Sequence, residues 1–231
     1  TQSIEIQRHP LAFPSRDRLI ERKSECQNFR DMRRKRPNPN APRKGAKIKV
    51  EPIRSLKDIQ LIRRMLQEKP RDLALFTIGI NTNLRASDLL RLRVYQVRDI
   101  EPGDSIEINE KKTGKPRRLT MNRACVQTIR NLLEKESYHP GEHLFRSQKS
   151  EEALKVSSVH NLVKAWCKAV KLKGNYGSHT LRKTWGYHQR VTYRVDIPTL
   201  MVCFNHATQK QTLDYLCIQP EEITNVFNNE L

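Results

Sequence analysis

Four short clusters in this chain of 231 residues hold side chains suited to handling an anion. In Thr82-Asn83-Leu84-Arg85-Ala86-Ser87-Asp88, Arg85 sits where a loop turns into a helix. There a guanidinium can be aimed at an anion and held by a nearby carboxylate such as Asp88. Lys112 opens the turn Lys112-Thr113-Gly114-Lys115-Pro116, from which it can reach out over a rigid two-stranded base. In Ser178-His179-Thr180-Leu181-Arg182-Lys183-Thr184, His179 and Arg182 lie three apart on one helical face. The first turn of that helix adds free backbone N–H groups and the positive end of the helix dipole, a natural phosphate site. Finally, Cys203-Phe204-Asn205-His206 is followed nine residues after the histidine by Tyr215. Singly, each cluster has an ordinary structural explanation: a surface ion pair, a solvated lysine, a core histidine, a cap, a packed tyrosine. Their order and spacing together do not.

These residues must be positioned by a mostly helical frame. Ser55 is a good N-cap for a helix over about 56–68, with Ile59, Ile62 and Leu66 at helical spacing. A more apolar helix is expected at 71–80, broken by Asn81-Thr82-Asn83, and a short one at 86–92. Ser105 to Ile108 alternates as a strand and Arg117 to Thr120 returns, which predicts a β-hairpin. Further helices are expected at 121–136, 157–170, 180–190, 197–204, 208–216 and 220–228. The fold class is therefore mainly α with a small antiparallel β-sheet (α+β), without a repeat of solenoid period.

Composition narrows the partner. With 44 Lys and Arg against 25 Asp and Glu, the formal net charge is +19, which suits a polyanion. Residues 1–50 carry 14 Lys and Arg against 5 Asp and Glu, so almost half of the excess lies in a fifth of the chain. Within them 15–34 reads as a polar helix, and the proline-rich stretch 37–45 as a linker. No apolar run approaches the roughly 20 residues of a membrane span. The five scattered cysteines form no CxxC pair, which fits a reducing compartment and a cytoplasmic location. His139-Pro140-Gly141-Glu142-His143 reads as a turn rather than a metal site.

An arginine in an L-R-x-S-[DE]-L-L box, a lysine in a K-T-G-K hairpin, H-x-L-R-[HK]-T, then a histidine with a tyrosine nine residues on: this resembles the tyrosine recombinase (phage integrase) family. The similarity covers about residues 52–218, and Leu144-Phe145 matches an apolar pair the family tends to have. The resemblance implies a catalytic domain of that family's fold. It also implies six catalytic residues: Arg85, Lys112, His179, Arg182, His206 and the nucleophile Tyr215. Arg85, Arg182 and His206 would bind the phosphate, with Asp88 in support. The activity implied is site-specific cleavage and rejoining of double-stranded DNA through a 3′-phosphotyrosyl intermediate.

That assignment is chemically coherent. Two arginines each offer a bidentate fork that matches a phosphate and stays charged at working pH. A phenol, with a reference pKa of about 10, is a better nucleophile precursor than an alkyl alcohol. Lys112 would protonate the departing 5′-oxygen, and His179 would assist proton removal from Tyr215. The sequence contains no HExxH, Walker-type loop or paired carboxylates, so neither metal nor cofactor is expected. Same-fold alternatives are a type IB topoisomerase-like relaxing enzyme and a non-catalytic DNA-binding protein.

Several positions depart from the family's pattern. Asn205 and Asn83 stand where glycine is usual, and Phe204 where leucine is common. Asparagine tolerates the left-handed backbone that glycine would adopt. Upstream, only about 50 residues precede the domain, where most members carry a helical core-binding domain of about 100. The expected organisation is a basic arm and linker over 1–45, the catalytic domain over 46–218, and a C-terminal helix over 219–231. The chain is then either a fragment or a short recombinase that grips DNA with its arm. In the family such a final helix docks on a neighbouring protomer, which implies a homo-tetramer on DNA; packing on its own domain is the alternative.

Overall fold

Ser55 opens the first helix as expected. Its Oγ accepts a hydrogen bond from the Asp58 amide at 3.2 Å, and α1 runs over Leu56–Met65 with Ile59 and Ile62 buried. The structure is a computed structural model, and it describes residues 49–148, 150, 152–216, 218 and 220–230. The expected helix 15–34, the linker 37–45 and the whole basic arm lie outside the described residues. Helix α1 ends three residues short of its expected limit: after Leu66 the chain tightens into i→i−3 turn bonds, Gln67 to Arg64 at 3.2 Å and Lys69 to Leu66 at 2.8 Å. Pro70 itself starts α2 (Pro70–Asn81) at the first helical position, where its missing N–H costs nothing.

Helix α2 is the central element. Ala74, Leu75, Phe76, Thr77, Ile78 and Gly79 are all buried in it. At Gly79 a Cβ would stand 2.6 Å from Leu181 Cδ1, so the missing side chain is what lets α2 pass this close to the helix bearing the H-x-L-R sequence. After it, α3 covers only Ala86–Leu89, shorter than the expected 86–92. The chain leaves the helix because residues 92–95 pair instead with the segment 140–144. The Val94 amide donates to the Glu142 carbonyl (3.0 Å), the Tyr95 amide to Pro140 (2.9 Å), and the Leu144 amide to Leu92 (2.9 Å). A single 3-10 turn, Val94–Gln96, follows, and the sequence pattern gave no sign of it.

The hairpin forms as expected. Strands β1 (Ser105–Asn109) and β2 (Pro116–Thr120) pair antiparallel, from Ser105 opposite Thr120 to Asn109 opposite Pro116. Gly114 takes a left-handed φ of +67° in the turn. Helix α4 (Arg123–Lys135) is capped by Asn122, whose Oδ1 accepts from the Cys125 amide at 3.0 Å. Helices α5 (Val156–Ala169), α6 (Ser178–Val191), α7 (Ile197–Phe204), α8 (Gln209–Leu216) and α9 (Pro220–Phe227) complete the frame, each within two residues of its expected limits. Leu144 and Phe145 are fully buried.

Two apolar clusters result. The large one gathers α1, α2, α4, α5 and the hairpin base, and includes Phe76 packed edge-on against Trp166 with ring centroids 5.8 Å apart. The small one consists of Leu200, Phe204 and Leu216, with Trp185, Val195, Ile197 and Tyr215 packed against it. Tyr215 therefore rides on a minor core built from α7, α8 and one face of α6. Among the described residues no helix is long and apolar enough to cross a membrane.

Candidate active site

Helix α6 begins one residue before His179, so His179 and Arg182 fall in its first turn and a half. His179 Nδ1 lies 2.9 Å from the hydroxyl of Tyr215 on α8. Burial lowers the pKa of this imidazole, and the charges of Arg182, Lys183, Arg85 and Lys112 lower it further. The ring is thus neutral near pH 7. With its proton on Nε2, Nδ1 accepts from the phenol O–H.

Arg182 is the largest fully buried side chain of the described residues, 2% exposed. Its Nη2 donates to the Phe204 carbonyl at 2.8 Å, and its guanidinium carbon stands 5.6 Å from the centre of the Tyr215 ring. Nε and Nη1 have no hydrogen-bond partner among the described residues. Burial pulls this guanidinium down to about 10, so it still carries its charge at neutral pH. Unfilled donors on a buried cation are costly, and an arriving anion would satisfy them.

His206 follows Asn205, which closes α7 in the left-handed region at φ 56° and ψ 43°. Asn83 has φ 55°. Both asparagines therefore adopt the backbone that the usual glycine would supply. His206 stacks on Phe204 with centroids 5.0 Å apart and planes 9° from parallel, and its Nδ1 pairs with Thr212 Oγ1 at 3.1 Å. Burial, with the charges of Arg182 and Arg85, lowers its pKa to about 4. A neutral ring whose Nδ1 accepts from Thr212 carries its proton on Nε2, where it can act as a donor.

Arg85 N-caps α3, and its main anchor is one that sequence reasoning missed. Its Nη1 lies 2.7 Å from Glu110 Oε2 and 3.8 Å from Asp88 Oδ2. At 2.7 Å the contact with Glu110 is a close, buried ion pair. The expected Asp88 contact is present as the longer of the two. The shorter contact of Asp88 goes to the hairpin, where Oδ1 accepts from the Lys111 amide at 2.8 Å. That bond fixes the turn beside Lys112. The Lys112 side chain is exposed, and its charge is among those acting on His179.

Arg117 was also missed. Its Nη1 lies 3.1 Å from Glu110 Oε1, and its Nη2 donates to the Cys203 carbonyl at 2.8 Å. Asn83 Nδ2 donates to that same carbonyl at 2.9 Å. A signal for both residues did exist in the period of two. Ile106 and Ile108 alternate along one strand, with Glu110 next in step just past its end, and Arg117 and Leu119 along the other, so Glu110 and Arg117 continue the inward face. Lys183, buried at 7% exposure, places Nζ 5.4 Å from the Tyr215 ring centre. Among the described residues no group of three or more His, Cys, Asp or Glu side chains could hold a metal ion, and the pair His139 and His143 gains no third ligand there.

The sequence profile of the Phage integrase family matches residues 56–222. The probable integrase/recombinase YoeC of Bacillus subtilis (strain 168) is 34% identical over 175 residues, which cover 74% of this chain and 92% of that protein. The tyrosine recombinase XerC of Caldanaerobacter subterraneus subsp. tengcongensis is 28% identical over 164 residues, 69% of this chain but 45% of the relative. The solved structure of XerA recombinase shares the fold, with a TM-score of 0.64 at 17% identity over 86% of this chain and 70% of that one. So does a lambda integrase dimer bound to a COC' core site, with a TM-score of 0.55 at 18% identity over 75% and 50%. The chain belongs to the phage integrase family and is a tyrosine recombinase.

Proposed function

We propose that this chain cleaves and rejoins duplex DNA at specific sites, with Tyr215 as the nucleophile. The observation that carries this reading is the Tyr215 hydroxyl, held 2.9 Å from a neutral His179 beside a buried arginine with unfilled donors. In the proposed step His179 takes the phenol proton as Tyr215 oxygen attacks the scissile phosphorus. The P–O5′ bond breaks, Lys112 protonates the departing 5′-oxygen, and a 3′-phosphotyrosyl ester is left. Arg85, Arg182 and His206 Nε2–H stabilise the charge that gathers on the non-bridging oxygens, an arrangement worth several kcal/mol per preorganised donor. Attack by a 5′-hydroxyl on the ester reverses each transfer and rejoins a strand.

The test is direct. Supercoiled DNA carrying the sequences that flank this gene is incubated with wild type and with Tyr215→Phe, and the reaction is quenched with detergent. Wild type should remain covalently attached to DNA, whereas Tyr215→Phe should bind DNA and form no adduct. An adduct with the phenylalanine variant, or equal loss of binding and joining, removes Tyr215 from the role.

Two features support further parts of the reading. The basic residues 1–45 would contact the DNA backbone as an arm, and their deletion should weaken binding and flatten its dependence on salt. Helix α9 leaves Ile223, Val226 and Phe227 exposed, an apolar face suited to a neighbouring protomer in a DNA-bound homo-tetramer. Truncation at Ile218 should then abolish the larger species seen by gel filtration with DNA. An unchanged elution would leave α9 without that role.

A further inference from the structure

Glu110 is 1% exposed and directly follows β1, in step with its inward face. A buried carboxylate is expensive unless its oxygens are filled, and here they are filled from four parts of the chain. Oε2 stands 2.7 Å from Arg85 Nη1 at the start of α3, and accepts from Thr113 Oγ1 at 2.8 Å in the hairpin turn. It also accepts from Asn205 Nδ2 at 3.4 Å, the residue that sets the left-handed corner before His206. Oε1 accepts from Arg117 Nη1 at 3.1 Å. Arg117 in turn holds the Cys203 carbonyl at the end of α7. Burial by itself would push this carboxyl up, but the hydrogen bonds of Arg85 and Thr113 and the charge of Arg85, with Arg117 assisting, hold it at about 2. It is therefore ionised throughout the neutral range.

We infer that Glu110 is the positioning residue of the phosphate site: its carboxylate sets the Arg85 guanidinium and locks the Lys112 turn and the His206 corner to that same point. This rests on the proposed role of Arg85 as a phosphate-binding arginine. Three groups that would meet one phosphate come from α3, the hairpin and the end of α7, which share no backbone pairing at the site. One anion bonded to all three fixes their mutual distances. Both carboxylate contacts of Arg85 go through Nη1, so Nε and Nη2 make neither of them. Glu110 touches neither Tyr215 nor the expected phosphate, so it acts through Arg85 and the corner rather than on the reacting atoms.

The experiment compares wild type with Glu110→Gln and Glu110→Asp in the full-length protein. Glutamine keeps the volume and removes the charge; aspartate keeps the charge on a shorter arm. Duplexes carrying the flanking DNA are made with an ordinary scissile phosphate or with a methylphosphonate, whose reacting group bears no negative charge. On the phosphate, Glu110→Gln should slow adduct formation by roughly 10- to 100-fold, the range for losing a charge-assisted contact. Glu110→Asp should recover part of the rate. On the methylphosphonate the deficit should shrink to a few-fold, because a misaimed Arg85 matters less where no charge must be neutralised. An equal deficit on both substrates, or none on either, overturns the proposal while wild-type activity leaves the Tyr215 reading intact. A second readout needs no DNA. Nitrogen NMR of the free protein should show slowed rotation of the Arg85 and Arg117 guanidinium groups, lost in Glu110→Gln; unchanged rotation in a folded variant also overturns it.

Discussion

The Tyr215 hydroxyl and His179 Nδ1 are 2.9 Å apart, although 36 residues separate them and they sit on different helices. The phenol is thus already hydrogen-bonded to the imidazole before any DNA arrives. Phe204 lies beneath both His206 and Tyr215, with centroid separations of 5.0 and 5.2 Å, so the ring set behaves as one packed unit. The first consequences concern protons.

Because burial and four neighbouring cations lower the His179 pKa, the neutral form of this proposed base should persist to lower pH than in a free imidazole. The acid limb of single-turnover cleavage should therefore have its midpoint below pH 6.5, and a midpoint above 6.5 would remove His179 as the base. Stability follows the same direction. His206 titrates at about 4 when folded against 6.5 when exposed, so between those values the unfolded chain binds more protons. Its contribution is fully present above 6.5 and is lost as pH falls through 4. Glu110, at about 2 against 4.5, loses its contribution in the next window down. Urea unfolding at a series of pH values should show stability falling with acid, and His206→Gln should make the 6.5-to-4 segment shallower.

Arg182→Met separates activity from folding. The substitution removes a desolvated cation with two unfilled donors and fills its place with apolar volume, which outweighs the single Phe204 carbonyl left without its donor. Cleavage should fall by about 100- to 1,000-fold, the scale for losing one preorganised donor to a developing anion. Thermal unfolding should hold or rise. A collapse of the fold alongside the activity would mean that the guanidinium serves chiefly as the anchor of Phe204.

Gly186→Ala strikes the minor core from below. A Cβ there would stand 2.6 Å from Phe204 Cζ and 3.2 Å from Leu216 Cδ2. Overpacking of this kind costs about 1–3 kcal/mol. For a domain of this size that lowers the melting temperature by about 2–4 °C per kcal/mol. Displacing Phe204 and Leu216 also shifts Tyr215, so adduct formation should slow even at temperatures where the variant is folded. Calorimetry and a cleavage time course check the two effects separately.

Among the described residues the sequence by itself determined where most helices and the hairpin lie, to within two or three residues, because their signals are local: Ser55 and Asn122 as caps, Pro70 at a first turn, and Gly114 in the hairpin. It also determined family membership through short motifs whose order survives without any fold. Where residues 92–95 pair with 140–144, local pattern lost to a tertiary partner, and α3 stopped at Leu89. Asp88 was legible as a neighbour of Arg85, whereas the nearer Glu110 was not, since it lies 25 positions away along the chain. Only the tertiary structure decided that one buried carboxylate joins Arg85, Arg117, Thr113 and Asn205, and that Arg182 keeps two donors unfilled. Spacing along a chain reports which residues share a helix or strand face. The meeting of faces, the exclusion of water between them and the resulting pKa shifts depend on how the elements pack.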